Sequence, residues 1–290
     1  MPQIINTNLM SLNAQRNTSM TQNSLQTSMQ RLSSGLRVNS AKDDAAGLSI
    51  ATRMDSQVRG MTVAQRNAND GISLAQTAEG AMSKVGDALQ RMRELAVQAR
   101  NATNTSADRD SLDAEFGQLA QEIQRVLGGT TFNGKAILGT TDAGTQTFQI
   151  GANTTTNDTI DIVTTDMTQD GTITAVAGTD NTGAGRAVID NTADTATIAT
   201  VIDSIDVAIN TVSTQRAIMG AAQNRFDSVI SNLQISVENQ SAAKSRIMDA
   251  DFATETANLS RSQILQQAGT AMIAQANSMP QQVLTLLRGG

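Results

Sequence analysis

The reactive side chains of this 290-residue chain are carboxylates, hydroxyls, ammonium groups and guanidinium groups; Cys, His, Trp and Tyr are all absent. That composition removes thiolate nucleophiles, disulfides, most zinc sites and the side chain best suited to proton transfer near neutral pH. What remains for catalysis is paired carboxylates, at Asp43-Asp44 or among the eight Asp between residues 130 and 200. Two carboxylates divide into acid and base only where a pocket separates their pKa values. No apolar, pocket-forming run surrounds either set. Asp43-Asp44 reads instead as a cap on a long helix, where the helix dipole favours negative charge. The residues therefore predict no catalytic, cofactor-binding or metal-binding position, and a protein that is not an enzyme.

The charge is unevenly spread. The net charge of −6 falls in residues 130–200, where the Asp residues face only Lys135 and Arg186, and the remainder is neutral. A nucleic-acid binder would carry a basic stripe, so no nucleic acid is expected. No run approaches the roughly 18 consecutive apolar residues of a membrane span. The start, Met1-Pro2-Gln3-Ile4-Ile5, lacks the basic region, apolar stretch and small-residue site of a cleaved signal. The chain is expected to be cytosolic, or exported by a route that cleaves nothing.

The elements that would hold these residues are mostly helical. From about Ala41 to Arg100, Met54, Met61, Ala68, Ala75, Met82, Leu89 and Ala96 recur seven apart, with Ile50, Ala64, Ala78, Val85, Met92 and Ala99 as a companion row. Ser40-Ala41-Lys42-Asp43 has the form of a capping box at its start. Such a helix would be roughly 90 Å long at about 1.5 Å per residue, longer than the ~50 Å diameter of a compact globule of this size. An elongated molecule is expected. Thr105-Ser106-Ala107-Asp108 opens a second helix, with Gly128-Gly129 as its stop. A third seam runs Ile205, Val212, Met219, Phe226 and Leu233. Three seams imply an antiparallel bundle, with 41–128 packed on 198–240. Gly60, Gly71, Gly80 and Gly86 interrupt the long helix, for close helix approach or as hinges. Short alternating runs at 132–138, 148–150 and 160–163 read as β-hairpins with Asn-Gly and Gly-rich turns. Residues 165–197 lack periodicity and read as a small β-rich outer domain or a partly disordered segment, with the acidic residues facing water.

The two ends resemble each other. Residues 1–30 carry one charge, Arg16, and 262–287 carry none. Ile5, Leu9 and Leu12 are helically spaced, followed by Leu25, Met29, Leu32 and Leu36. Leu265, Met272, Met279 and Leu286 recur every seven residues, the repeat of helices that wrap around one another. Two readings follow: ordinary amphipathic helices within one monomer, or helices buried against copies of themselves. A solvated helix face normally carries Lys and Glu, and these faces carry almost none, which favours the second. A membrane-surface helix would want basic residues on its polar face, so no membrane is expected.

Gln30-Arg31-Leu32-Ser33-Ser34-Gly35-Leu36-Arg37-Val38-Asn39-Ser40-Ala41-Lys42-Asp43-Asp44-Ala45-Ala46-Gly47, following Ile5-Asn6-Thr7-Asn8, closely resembles bacterial flagellin. Thr131-Phe132-Asn133-Gly134, Phe148 to Ala152 and the tail from Ala274 to Arg288 look like the same family. The resemblance implies a mainly α fold: an elongated antiparallel helical rod, paired terminal coiled-coil helices and a small central β-hairpin region. The segments would be a filament-core helix at 1–40, rod at 41–163, a reduced variable outer region at 164–197, rod at 198–247 and a second core helix at 248–290. Ile5, Leu9, Leu12, Leu265, Met272, Met279 and Leu286 would form the filament-core seam. The function implied is a self-assembling subunit of the extracellular flagellar filament, with a hook–filament junction protein as the alternative. Implied partners are copies of the chain, an export chaperone on the C-terminal segment, hook-junction and cap proteins, and host Toll-like receptor 5. Leu89 to Gln98 resembles the receptor-recognised segment, with Gln90, Arg91, Leu95 and Glu115 as the implied recognition residues. The terminal segments would be disordered in the free subunit and fold on assembly. O-linked sugars are expected on the Thr-rich middle. Family members with a metalloprotease in the variable region use an HExxH site, which a chain without His cannot form.

Overall fold

The computed structural model describes residues 7–288, with side chains described for 7–279. Ile5, Gly289-Gly290 and the side chains of Val283 and Leu286 lie outside the described residues. The described chain is mainly α, with six helices and two small antiparallel strand pairs. It divides into two compact units, one of residues 1–56 with 238–290 and one of residues 57–237.

The second unit is built on three helices: most of α2 (Ala45–Ala99), α3 (Ser106–Gly129) and most of α5 (Thr195–Met248). The seven-residue seam of α5 is buried as expected, from Ile205 and Val212 through Met219 and Phe226 to Leu233. It meets Met61, Ala64, Ala68, Ala75, Ala78, Met82, Val85, Leu89, Met92 and Ala96 of α2 in the core. The two helices are antiparallel, since Arg93 pairs with Asp206 and Glu79 with Arg216. This seam accounts for the apolar character of α5, which has a stretch of mean hydropathy 1.2. Thr105 caps α3 with Asp108 in a reciprocal capping box, again as the sequence predicts.

Two glycines of α2 sit where helix and neighbour touch. A Cβ on Gly71 would come 2.7 Å from Phe226 Cζ, and one on Gly60 would come 2.8 Å from Ala152 Cβ. Gly80 and Gly86 have no such neighbour closer than 4.0 Å. Close approach therefore explains the first pair and leaves the second pair without a packing reason.

The strands cover one end of this core. β1 (Thr131–Phe132) and β2 (Lys135–Ala136) pair through a turn in which Asn133 and Gly134 have φ of 50° and 80°. Both central residues at positive φ is the type I′ geometry that Asn-Gly favours. β3 (Gly144–Gln149) pairs with β4 (Thr159–Thr164), burying Ile160, Ile162 and Thr164 inward. Phe148 of β3 meets Phe226 of α5 edge-on, with ring centroids 5.6 Å apart.

Several expectations are corrected. The long helix begins at Ala45, not near Ala41, because Asp44 and not Ser40 caps it, accepting from Gly47 N at 2.8 Å. The Asp43 carboxylate instead closes a turn on the N–H groups of Asn39 and Ser40 and on the Ser40 hydroxyl. α3 ends at Gly129, where the glycine pair predicts, but its cap is Thr130 in an extended conformation rather than a glycine at positive φ. Ile50 is exposed rather than in the companion row. Residues 165–197 contain no strand; they form α4 (Gly171–Ala177) and a run of tight turns packed on the helices. Met167, Ile173, Val176, Ala177 and Ile189 are wholly buried there.

The acidic residues of this segment shape its turns. Asp166, Asp170, Asp180 and Asp190 each stand two residues before a Thr. Each accepts that Thr's N–H at 2.8–3.0 Å and its hydroxyl at 2.5–2.6 Å. An Asp side chain that satisfies its own backbone two residues on builds a turn without glycine. Arg186 bonds Asp113 of α3 through both nitrogens at 2.9 and 2.5 Å, and Asp113 also accepts Ile189 N at 2.9 Å.

The first unit contains α1 (Leu9–Ser34) and α6 (Phe252–Arg288) with the adjoining turns of α2 and α5. Gly35, at φ 72°, ends α1 in a left-handed cap. Residues 36–38 then lie against the end of α5. Arg37 N donates to Met248 O at 2.6 Å, Ala250 N donates to Gly35 O at 2.9 Å, and Leu36 forms a β-bridge with Asp249.

Candidate assembly and recognition surfaces

The fold places the sequence-predicted residues in two groups. The first is the helix pair of the chain ends. Asn13 and the hydroxyls of Thr18 and Thr21 suit a helix with little charge, and Asn8 caps it by accepting Ser11 N at 3.1 Å. α1 and α6 run antiparallel: Asn8 Nδ2 donates to Ala276 O at 2.7 Å, and at the other end Arg31 meets Glu255 at 3.7 Å.

The buried faces of these helices are small and polar. On α1 the buried or half-buried row is Ser11, Ala14, Thr18, Thr21, Leu25, Ser28 and Leu32. On α6 it is Glu255, Leu259, Ser262, Gln266, Gly269, Ile273 and Ala276. Both rows alternate three- and four-residue steps, the coiled-coil repeat. The backbones approach closely at Gly269, where a Cβ would lie 2.6 Å from Thr18 Oγ1. The sequence did carry this signal, in Ser11, Thr18, Leu25 and Leu32 and in Glu255, Ser262, Gly269 and Ala276, each seven apart. A search for apolar repeats passes over it.

The expected apolar seam residues lie elsewhere. Leu9, Leu12, Leu265, Met272 and Met279 are 45–65% exposed, so they do not form the contact between α1 and α6 within one molecule. Met10, Met20, Met29 and Ile264 are likewise exposed. Leu265, Met272 and Met279 stand to one side of the α6 row and, with Met10, line an open groove of about 460 Å³ along the pair. The pair departs from a globular core: its most buried positions are mainly Ser and Thr, its inward Leu25, Leu32, Leu259 and Ile273 are only half-buried, and its thioethers and several further isobutyl groups face outward. Contiguous exposed apolar surface of this kind marks an interaction surface.

The second group lies on α2 and α3. Arg91 donates from Nε to Glu115 at 2.9 Å and from Nη1 to Glu94 at 2.9 Å, and all three side chains are about half exposed or more. The hydrogen bonds Arg91 donates to Glu115 and then to Glu94 raise its pKa above the ordinary value. Gln90 is exposed beside it. Leu95, one turn on from Arg91, is 1% exposed and packed in the core, at the inner edge of this face. Arg93, two residues on from Arg91, is held by Asp206 of α5 at 2.6 and 3.3 Å.

Neither surface resembles a catalytic centre. Asp43 is held below the usual carboxylate range by the Ser40 hydroxyl and backbone, and Asp180 and Asp190 by the Thr hydroxyls they accept. A carboxylate stabilised as the anion is a poor general acid. Among the described residues no group of acidic side chains could hold a metal ion.

Comparison with known proteins gives this arrangement a family. The model described as the bacterial flagellin N-terminal helical region matches residues 5–143, and that described as the C-terminal helical region matches residues 202–287. A flagellin of Halalkalibacterium halodurans is 46% identical over 286 residues, covering 98% of this chain and 100% of the relative. A flagellin of Bacillus subtilis is 44% identical over 305 residues, covering 98% and 99%. The crystal structure of Bacillus cereus flagellin is 33% identical and superposes with a TM-score of 0.47 over 58% of this chain and 88% of that one. With both family models matched in order and relatives aligned from end to end, this chain belongs to the bacterial flagellin family.

Proposed function

We propose that this flagellin, a structural subunit of the extracellular flagellar filament, polymerises by seating neighbouring copies against the outward apolar residues of α1 and α6. The observation that carries the reading is the helix pair with its outward apolar residues. Its own contact uses Ser11, Thr18, Ser28, Ser262 and Gly269 with half-buried Leu25, Leu32, Leu259 and Ile273, leaving Leu9, Leu12, Leu265, Met272 and Met279 for other molecules. Burying a Leu or Met side chain stabilises by roughly 1.5–3 kcal/mol, so one such set on every subunit supplies a large driving force. The absence of charge on these faces matters as well, because identical charges stacked along a polymer would repel.

Changing Leu265 and Met272 together to Glu tests this. Both are exposed in the subunit, so helicity and the α1–α6 contact are retained, while seeded growth into filaments is abolished. Filaments of normal length from the double variant would refute the reading.

The same α6 surface suits an export chaperone, which would cover it before assembly, and the ends of the polymer suit hook-junction and cap proteins. Export without a cleaved signal completes this reading. The patch of Gln90, Arg91 and Glu115, with Glu94, is the surface we assign to Toll-like receptor 5, and Leu95 supports it from within. Arg91→Ala is expected to lower signalling in a receptor reporter cell roughly tenfold, as for an interface hot spot. Unchanged signalling from a folded variant would remove the patch from that role.

A further inference from the structure

Ten of the thirteen methionines fall into two groups by environment, with Met54 and Met248 half-buried between them and Met1 outside the described residues. Met61, Met82, Met92, Met167 and Met219 are buried in the second unit, at no more than 8% exposure. Met10, Met20, Met29, Met272 and Met279 are 45–62% exposed, and every one of them is on α1 or α6. Met10, Met272 and Met279 converge on a single groove together with Leu265. Leucine and methionine differ little in helix propensity or in apolar volume. They differ in chemistry: a thioether accepts an oxygen atom from a peroxide, and an isobutyl group does not.

We propose that these five thioethers form an oxidation-sensitive control on assembly. Peroxide converts each exposed Met to its sulfoxide in the free subunit, and the oxidised subunit cannot join a polymer. The step balances simply: the sulfur lone pair attacks one peroxide oxygen, the O–O bond breaks, one S=O bond forms and water leaves. Sulfur is oxidised by two electrons and the peroxide is reduced. The product places a polar S=O on the three side chains that line the groove, so an apolar surface becomes one that must be desolvated before a neighbour can cover it. The core methionines are shielded, so the subunit keeps its fold. Once neighbours cover the groove the thioethers are shielded too, and a finished polymer is resistant where its free subunit is not.

This inference rests on the assembly reading above, and the experiment separates the two. Purified subunit is treated with hydrogen peroxide, mapped by peptide mass spectrometry and then seeded. Sulfoxide is expected at the five exposed positions roughly tenfold faster than at the five buried ones, with seeded growth lost and then restored by methionine sulfoxide reductases. For a variant with Leu at all five positions, the ratio of seeded growth after peroxide to seeded growth before it is expected to stay near one, whatever its starting rate. If oxidised wild type still polymerises while the Leu265→Glu, Met272→Glu variant does not, the oxidation control is overturned and the assembly reading stands. If peroxide blocks the five-Leu variant equally, or if reductase treatment does not restore growth of the oxidised wild type, the control is overturned as well. Polymerisation by the double Glu variant would overturn both.

Discussion

Replacing Gly71 and Gly80 of α2 with Ala, one at a time, makes the same chemical change in one helix and is predicted to move stability in opposite directions. Each substitution restores a methyl group that favours the helix by about 1 kcal/mol relative to Gly. At Gly80 the new methyl meets nothing within 4 Å, so that gain stands. At Gly71 it would lie 2.7 Å from Cζ, 3.0 Å from Cε2 and 3.1 Å from Cε1 of Phe226. The ring is wholly buried and has Phe148 against it at a centroid distance of 5.6 Å, so it has no free direction in which to give way. Overpacking a filled core costs about 1–3 kcal/mol. The net expectation is a loss of about 1 kcal/mol for Gly71→Ala and a gain of about 1 kcal/mol for Gly80→Ala. For a unit of this size each corresponds to roughly 2–4 °C in the melting temperature, followed by circular dichroism at 222 nm. The paired change Gly71→Ala, Phe226→Leu should recover part of the loss, since the two sites share one contact. If Gly71→Ala stabilises as much as Gly80→Ala, the argument from close approach is wrong.

Other outcomes follow from the same geometry. Asp113→Ala leaves Arg186 and Ile189 N–H without their partner and is expected to cost about 2–4 kcal/mol, exposing residues 165–197 to limited proteolysis; adding Arg186→Met should return part of it. Asp108, Asp180, Asp190 and Asp194 are held below the ordinary carboxylate range, chiefly by hydroxyl hydrogen bonds from Thr105, Thr182, Thr192 and by Thr197. Their folded-state pKa values lie below the unfolded ones, so their stabilisation is complete above about pH 5 and is lost as pH falls through the folded values. The urea midpoint should therefore hold steady from pH 8 to 6 and drop below about pH 4. Changing Thr182 and Thr192 to Val should flatten that drop, and an unaltered acid slope would count against the Asp-Thr turns.

What the sequence revealed and what it hid divide along physical lines. Large apolar residues at a seven-residue repeat can only be accommodated by burial, so Ile205 to Leu233 and Met61 to Ala96 announced the core of the second unit. The capping box at Thr105 and the Asn133-Gly134 turn were legible because their chemistry is local. The contact between α1 and α6 was not legible by the same rule. Its most buried positions are hydroxyls, an alanine and a carboxylate, with Leu25, Leu32, Leu259 and Ile273 half-buried between them, and the apolar repeat beside it belongs to a surface that one molecule leaves open. Residues 165–197 lack a periodic apolar pattern, which suggests a small β-rich domain or a partly disordered segment, and their aspartates suggest a face turned to water. Here each of four spends its side chain on a Thr two residues ahead, which frees Ile173, Val176 and Ile189 to pack. A resemblance along a linear segment does not say how deep each side chain lies, and Leu95 sits in the core one turn from exposed Arg91. The start of α2 moved to Asp44 because two adjacent carboxylates compete to cap, and the one directly before Ala45 has the reach to Gly47.

The account turns on where the side chains of α6 sit before and after polymerisation. The chain has no cysteine, so a thiol introduced by Leu265→Cys or by Ser262→Cys is the single reactive site and can be followed with a maleimide. The account predicts that the thiol at 265 labels rapidly in the free subunit and is protected in the polymer, whereas the thiol at 262, on the small polar row, is protected in both. Equal labelling at 265 in subunit and polymer would contradict it.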